Sequence, residues 1–350
     1  MPLEFTTTRQ NPGVDPVLNA WLVEVPIDLL AAATAAGLMV LAGLHLLLAR
    51  PRQPEPLVTC TVGPLLGVLL LSLGLTALFL DLSHKLYVWR LYLTFEITSP
   101  MSWGSYLMLL SYGALLLNLL AHLPVTFPSL VGRFPILGRL SRLVFDQSSR
   151  VAAMGYINLG LGFSLGIYTG TLLSTMRARP LWNSPLLGPI FLISGLVVAA
   201  AVLHAVLVLA AGRSPAAAKR ATWRDALARW TGATGLDAGV APVLRWLVVA
   251  LLALQFVALG LYGVGLLSAP EIGQRALAEF LGGPYALSFW IFVVVLGTVA
   301  PLGLELLEIN RRVRATIVPA LLVLLGAFAL RYILVFAGQE SHWTRGFAGF

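Results

Sequence analysis

Eight apolar runs, each long enough to cross a bilayer, constrain this chain more than any motif in it. A helix needs about 20 predominantly apolar residues to span the hydrocarbon core. Such runs lie at Pro26–Leu48, Leu57–Leu80, Trp103–His122, Val151–Ser174, Pro185–Ala211, Arg245–Leu267, Tyr285–Leu306 and Ile317–Phe336. With 58% hydrophobic and only 11% charged residues over 350 positions, too little polar surface is left to cover a water-soluble domain. The predicted fold class is an all-α integral membrane protein of eight transmembrane helices. The runs are continuous in Leu, Val, Ala and Gly and lack the short alternating segments of a closed sheet, so helices are the expected way to satisfy the backbone in lipid.

Charge sets the expected orientation. Fifteen Lys and Arg fall in the connections on one side, among them Arg50, Arg133, Arg150, Lys219, Arg245 and Arg311. Seven fall on the other, and Arg331 lies within the last run. Short cytoplasmic connections retain positive charge, so the first side is predicted to be cytoplasmic and both termini periplasmic, in a bacterial inner membrane. The first 25 residues carry Glu4, Arg9, Asp15 and Glu24 and lack a basic stretch ahead of a short apolar core, so no cleavable signal is expected. Most of the +8 net charge is then topology, which points to lipid headgroups and away from nucleic acid. Phe134, Leu137, Leu140 and Val144 among arginines, and Trp223, Leu227 and Trp230 among Lys219, Arg220, Arg224 and Arg229, have the spacing of helices lying on the membrane surface. No connection carries a phosphate loop or a zinc spacing, and no metal site is predicted.

A single cysteine, Cys60, rules out both an internal disulfide and a cluster held by several thiolates. A membrane haem would need two histidines opposed at one depth. His45, His122 and His204 all fall toward cytoplasmic ends, so a haem b anchor stays open as an alternative.

Polar and aromatic residues gather at the opposite end. Asp81-Leu-Ser-His84-Lys85-Leu-Tyr-Val-Trp-Arg90 leads through Glu96 into Ser99-Pro-Met-Ser-Trp103-Gly104. An aromatic belt, pairing of Asp81 with Lys85 or Arg90, and capping by Ser99-Pro100 would account for the residue types. The fourth run carries Gly162, Gly166 and Gly170 in line with Asn158, a small-residue stripe for close helix packing. Tyr168 lies off that stripe, where a phenol can reach a ligand carbonyl. Arg331 sits about 9 Å inside the last run, so a buried pair with Asp28 or Glu305 is expected; Glu305 and Glu308 end the seventh run, where Arg311 and Arg312 are expected to neutralise them at the surface.

Taken in order, Trp89-Arg-Leu, Ser99-Pro-Met-Ser-Trp-Gly104, Tyr168-Thr-Gly170, Pro180-Leu-Trp-Asn-Ser-Pro-Leu-Leu187, Ser194-Gly195 and Leu330-Arg-Tyr-Ile-Leu-Val-Phe-Ala-Gly-Gln339 resemble the NrfD/PsrC family of quinone-reactive membrane subunits. The resemblance implies two four-helix bundles, with segments at 1–25, 26–174, 175–184, 185–336 and 337–350. It implies menaquinone or ubiquinone as cofactor, with no haem or iron–sulfur cluster on this chain. The implied partners are a periplasmic ferredoxin-like iron–sulfur subunit and a large catalytic subunit of molybdopterin type. Two stretches depart from the family pattern. Trp21-Leu-Val-Glu24-Val-Pro-Ile-Asp28 replaces an aromatic-rich start, and Leu82-Ser83-His84-Lys85 replaces a Gly-Arg-Pro-like turn after Asp81.

Quinone turnover moves two electrons and two protons, so its site needs hydrogen-bond partners and titratable groups. By motif position and chemistry the quinone-side candidates are Tyr168, Glu24, Asp28, Asp81, His84 and Trp103. Candidates for a proton route from the other face are Glu305, His204, Asn158 and Arg331, with Gln255. Candidates for docking the partner are Lys85, Arg90, Arg177, Arg179 and Trp182. A secondary transporter is the rival reading, disfavoured by the lack of an inverted repeat or paired broken helices. A purely structural anchor would share the partner and not the quinone.

Overall fold

The computed structural model describes residues 21–48, 58–126, 128–145, 147–176, 178–211 and 240–341. Eight helices among them are long and apolar enough to cross a membrane: α1 Glu24–Leu48, α2 Val58–Asp81, α3 Pro100–Thr126, α4 Ser148–Ser174, α5 Leu187–Ala211, α6 Val240–Leu267, α7 Ala286–Ile309 and α8 Val318–Glu340. No strand occurs among the described residues.

Several helices outrun their apolar cores. Backbone bonding to the neighbouring turn continues past the most apolar stretch, so α3, α6 and α8 begin earlier or end later than hydropathy predicts. The last case has a consequence. Gln339, expected in a tail, is helical and pairs with the backbone of Trp21, accepting from its N–H at 3.0 Å and donating to its carbonyl at 3.0 Å. The start of α1 and the end of α8 therefore lie at one end of the protein, called here the Asp28 end.

Small residues decide which helix sits in the middle. The Ala31-Ala-Ala-Thr-Ala-Ala-Gly37 stretch of α1 offers little side-chain bulk, so α2, α4, α5 and α8 all pack against it. Of its most apolar window 83% is buried, against 67% in α5, 56% in α8 and 28% in α6 and α7. The outer helices turn Leu69, Phe256, Val264 and Leu321 outward, toward lipid. Packing runs from α1 to α2, α2 to α3, α3 to α4 and α4 to α1, then from α5 to α6, α6 to α7, α7 to α8 and α8 to α5. The two rings of four join where α1 and α4 meet α5. At that seam a Cβ on Gly37 would lie 2.5 Å from the Gly195 carbonyl oxygen. The glycine stripe of α4 also seats on backbone, Gly162 on the carbonyl of Ala36 and Gly170 on that of Leu187.

The helix Pro135–Phe145 matches the first predicted surface helix and is tied to α3 by the Ser141 hydroxyl, which donates to the Ala121 carbonyl at 2.7 Å. The second, around Trp223, lies outside the described residues. A helix at Glu271–Gly282 and a π-helical stretch at Phe289–Val299 within α7 were not expected from the sequence.

Arg179 and Trp182, expected to dock a partner, are 1% and 0% exposed and face inward. Trp182 donates its indole N–H to the Leu334 carbonyl at 2.7 Å and stacks obliquely on Trp21, while Arg179 donates to the Ser341 carbonyl at 3.0 Å. They clamp the α4–α5 connection onto the end of α8. Arg177 lies outside the described residues. Replacing Trp182 with Phe removes the buried hydrogen bond together with the pyrrole half of a fully buried indole, for which a loss of at least about 1 kcal/mol of stability is expected. Thermal unfolding in detergent checks this, and a transition as high as the wild type's would mean the bond is not holding the clamp.

Candidate functional site

At the Asp28 end the first ring of helices encloses a cavity of about 340 Å³. That is within the roughly 300–1,000 Å³ usual for small-molecule sites. Leu29, Leu75, Met108 and Leu172 make most of its wall apolar, and Asp28, Asp81, Tyr92, Ser105 and Tyr168 supply the polar groups. The segment 82–99 covers it. Its short helix Arg90–Leu93 is held on α3 by Ser105, which donates to the Leu91 carbonyl at 3.3 Å, and by Tyr106, which donates to the Tyr92 carbonyl at 3.0 Å. Ser102 accepts from the Glu96 N–H at 3.0 Å. The Ser-Pro-Met-Ser-Trp-Gly-Ser-Tyr run thus starts α3, with the Ser99 hydroxyl accepting the Ser102 N–H at 3.4 Å, and fastens the cover.

Glycines admit the two central polar groups. Gly104 lies directly against the Tyr168 phenol, and a Cβ there would stand 2.5 Å from Cε1 of that ring. Gly74 does the same for Asp28, whose Oδ1 would be 2.6 Å from an added Cβ. Asp28 is only 6% exposed. No hydrogen bond to its carboxyl or to the Tyr168 hydroxyl occurs among the described residues, and both groups line the cavity. A buried carboxyl without a partner is costly, so its retention facing a cavity marks the site. Burial in the same wall raises the Tyr92 phenol above its ordinary value, so it stays a proton-bearing donor at neutral pH.

Three quinone-side candidates fall elsewhere. Trp103 is 45% exposed and donates to the Ile97 carbonyl at 2.9 Å. His84 is exposed beside Tyr87. Glu24 lies one turn before Asp28, outside the cavity wall, with Oε2 buried and without a hydrogen-bond partner among the described residues. Asp81 forms no ion pair with Lys85 or Arg90; Lys85 donates to the Leu82 carbonyl at 3.0 Å, and the Arg90 guanidinium lies 4.5 Å over the Tyr87 ring. Trp21, Tyr92 and Gly104 were not singled out as site residues by sequence, because their roles depend on which surfaces meet.

Of the five proton-route candidates, Gln255 is buried in α6 and the other four separate into three places. His204 and Glu305 meet at the far end, Nδ1 to Oε1 at 3.5 Å, joined by Arg245, whose Nε is 3.9 Å from Oε2. Asn158 instead pairs with Asn118 of α3 through reciprocal amide bonds of 2.8 and 3.1 Å. Arg331 meets neither expected carboxylate. It donates to the Ser194 hydroxyl at 3.0 Å and to the carbonyls of Ala327 and Phe191, with its guanidinium 4.9 Å from the Phe191 ring centre. Glu305 and Glu308 are buried, so Arg311 and Arg312, both exposed, do not neutralise them at a surface.

The described residues thus form a multi-pass membrane protein with an apolar cavity at one end, lined by two carboxyls and two phenols under a fastened cover. The chain belongs to the polysulphide reductase NrfD family, whose model matches residues 19–341. It is similar to the C subunit of polysulfide reductase from Wolinella succinogenes, 28% identical over 291 residues covering 79% of this protein and 81% of the relative. It is also similar to protein NrfD of Escherichia coli, 30% identical over 288 residues covering 80% and 81%, and to the protein NrfD homolog of Haemophilus influenzae, 25% identical over 282 residues covering 79% and 81%.

Proposed function

We propose that this protein is the quinone-exchanging membrane subunit of a multi-subunit oxidoreductase, taking menaquinone or ubiquinone into the cavity at the Asp28 end. The observation that carries the reading is the pairing of an unpartnered phenol and an unpartnered carboxyl in one apolar cavity. A bound quinone accepts or releases two electrons and two protons over a turnover. The Tyr168 O–H is free to donate to a head-group oxygen. Asp28 holds or releases the proton, and half-buried Asp81 at the rim connects the site to water. Leu29, Leu75 and Leu172 exclude bulk solvent and accommodate an isoprenoid tail.

In this reading the Asp28 end faces the periplasm, as the charge asymmetry of the connections favours. The cover carries exposed Leu86, Leu93 and Ile97 beside exposed Lys85 and Arg90, a surface suited to a ferredoxin-like iron–sulfur subunit that hands electrons to or from a large catalytic subunit of molybdopterin type. A relative named as one subunit of polysulfide reductase supports a multi-subunit assembly. The test is binding of a quinone analogue to the purified wild type and Tyr168→Phe. One lost hydrogen bond of about 1.4 kcal/mol weakens binding roughly tenfold. Equal affinity would remove Tyr168 from the site, and no saturable binding to the folded wild type would sink the quinone reading.

A further inference from the structure

We propose a second site, at the end opposite the quinone cavity, that binds one divalent cation of the zinc type through His204 of α5 and Glu305 and Glu308 of α7. One ligand atom from each lies within 4.8 Å of the other two, and the three residues are 2%, 1% and 4% exposed. Bond lengths of about 2.0–2.2 Å place tetrahedral nitrogen and oxygen ligands roughly 3.3–3.6 Å apart. His204 Nδ1 and Glu305 Oε1 already stand 3.5 Å apart.

A second observation points to a missing ligand. Both carboxylate oxygens of Glu305 and Oε2 of Glu308 are buried without a hydrogen-bond partner among the described residues, whereas Glu308 Oε1 is held by the Thr316 N–H at 2.9 Å. That bond fixes the carboxylate and leaves its other oxygen bare. Arg245 supplies a single positive charge against two buried carboxylates, and a cation satisfies the remainder. Binding through Nδ1 requires the proton on Nε2, which now faces Arg245 Nη2 at 3.4 Å. Arg245 therefore moves off the imidazole and onto Glu305, and it opposes the metal.

The experiment is a Co²⁺ titration of the purified full-length protein in detergent, followed by the visible absorption of low-coordinate Co²⁺, with Zn²⁺ as competitor. The expected result is one equivalent bound and displaced by Zn²⁺. Glu308→Gln and His204→Gln should weaken it about 100-fold, the upper end of what losing even an outer partner does to metal affinity. Arg245→Gln should bind more tightly than wild type. Zn²⁺ should raise the unfolding temperature of the wild type by mass action and that of His204→Gln much less at the same concentration. Absence of a saturable Co²⁺ spectrum in the folded wild type overturns the site. So does a spectrum of equal strength in both ligand variants, which would place the metal elsewhere. Because quinone-analogue binding is read separately, failure here leaves the quinone assignment standing.

Discussion

Replacing Asp28 with Asn is expected to lower quinone-linked turnover by about 10²- to 10⁴-fold while leaving the protein at least as stable as the wild type. Both halves follow from one observation. The residue is 6% exposed in a membrane span, lines the cavity, and makes no hydrogen bond through its carboxyl among the described residues. Such a group contributes nothing to stability that an amide of the same shape would not, and ionisable groups in that setting are costly. Asn keeps the volume under Gly74 and keeps a donor and an acceptor. What it loses is the ability to take up and release a proton, and positioned proton transfer is worth about 10²- to 10⁴-fold in rate. The measurements are quinol oxidation or quinone reduction by the assembled complex, and thermal unfolding of the same preparation. Turnover within about threefold of wild type, well short of the range for positioned proton transfer, would exclude Asp28 as the proton-handling group. Lost turnover accompanied by lost stability would assign it a structural role instead.

The second large effect concerns the seam between the two rings. A Cβ added at Gly195 would land on the Ala33 carbonyl oxygen, 2.7 Å from its carbon and 3.1 Å from the Ala33 side chain. The atoms in the way are mainly backbone of a helix packed on four neighbours, so no rotamer change relieves the contact. Only separation of α1 from α5 does. Overpacking costs about 1–3 kcal/mol where side chains can adjust, and Gly195→Ala should lie at or above the top of that range. The Gly113→Ala control meets nothing within 4 Å and should be neutral or slightly stabilising, because alanine favours the helix by about 0.5–1 kcal/mol over glycine. Thermal unfolding of both variants in one detergent decides it. Equal midpoints would show that α1 and α5 part without cost.

Particular residues show where sequence reading reached and where it stopped. Asp28 and Asp81 were legible because carboxyls near the ends of apolar runs are uncommon, and Tyr168 through its motif position in the family resemblance. All three line one cavity. Arg179 and Trp182 carried the same polar and aromatic signal at the same end and are buried braces. Charge and aromaticity do not report which way a side group points in a short connection. Arg331 was recognised as buried, and its partners were misjudged. A guanidinium deep in a helix bundle can be satisfied by the Ser194 hydroxyl and two carbonyls, and sequence favours the carboxylate reading only because it sees charges.

The sequence by itself determined the class, the number of spans and the end at which the polar groups collect. A hydrocarbon layer of fixed thickness demands runs of a certain length, whatever their neighbours. The rotation of each helix about its axis, and with it every contact between helices, was decided by tertiary structure alone. Most of these spans are apolar on all sides, so no periodic stripe announces the inward face. Close backbone approach at Gly37, Gly195 and Gly162 sets those rotations. They bring Asp28 and Tyr168 into one cavity, pair Asn118 with Asn158, and gather His204, Glu305 and Arg245 from three helices at the opposite end.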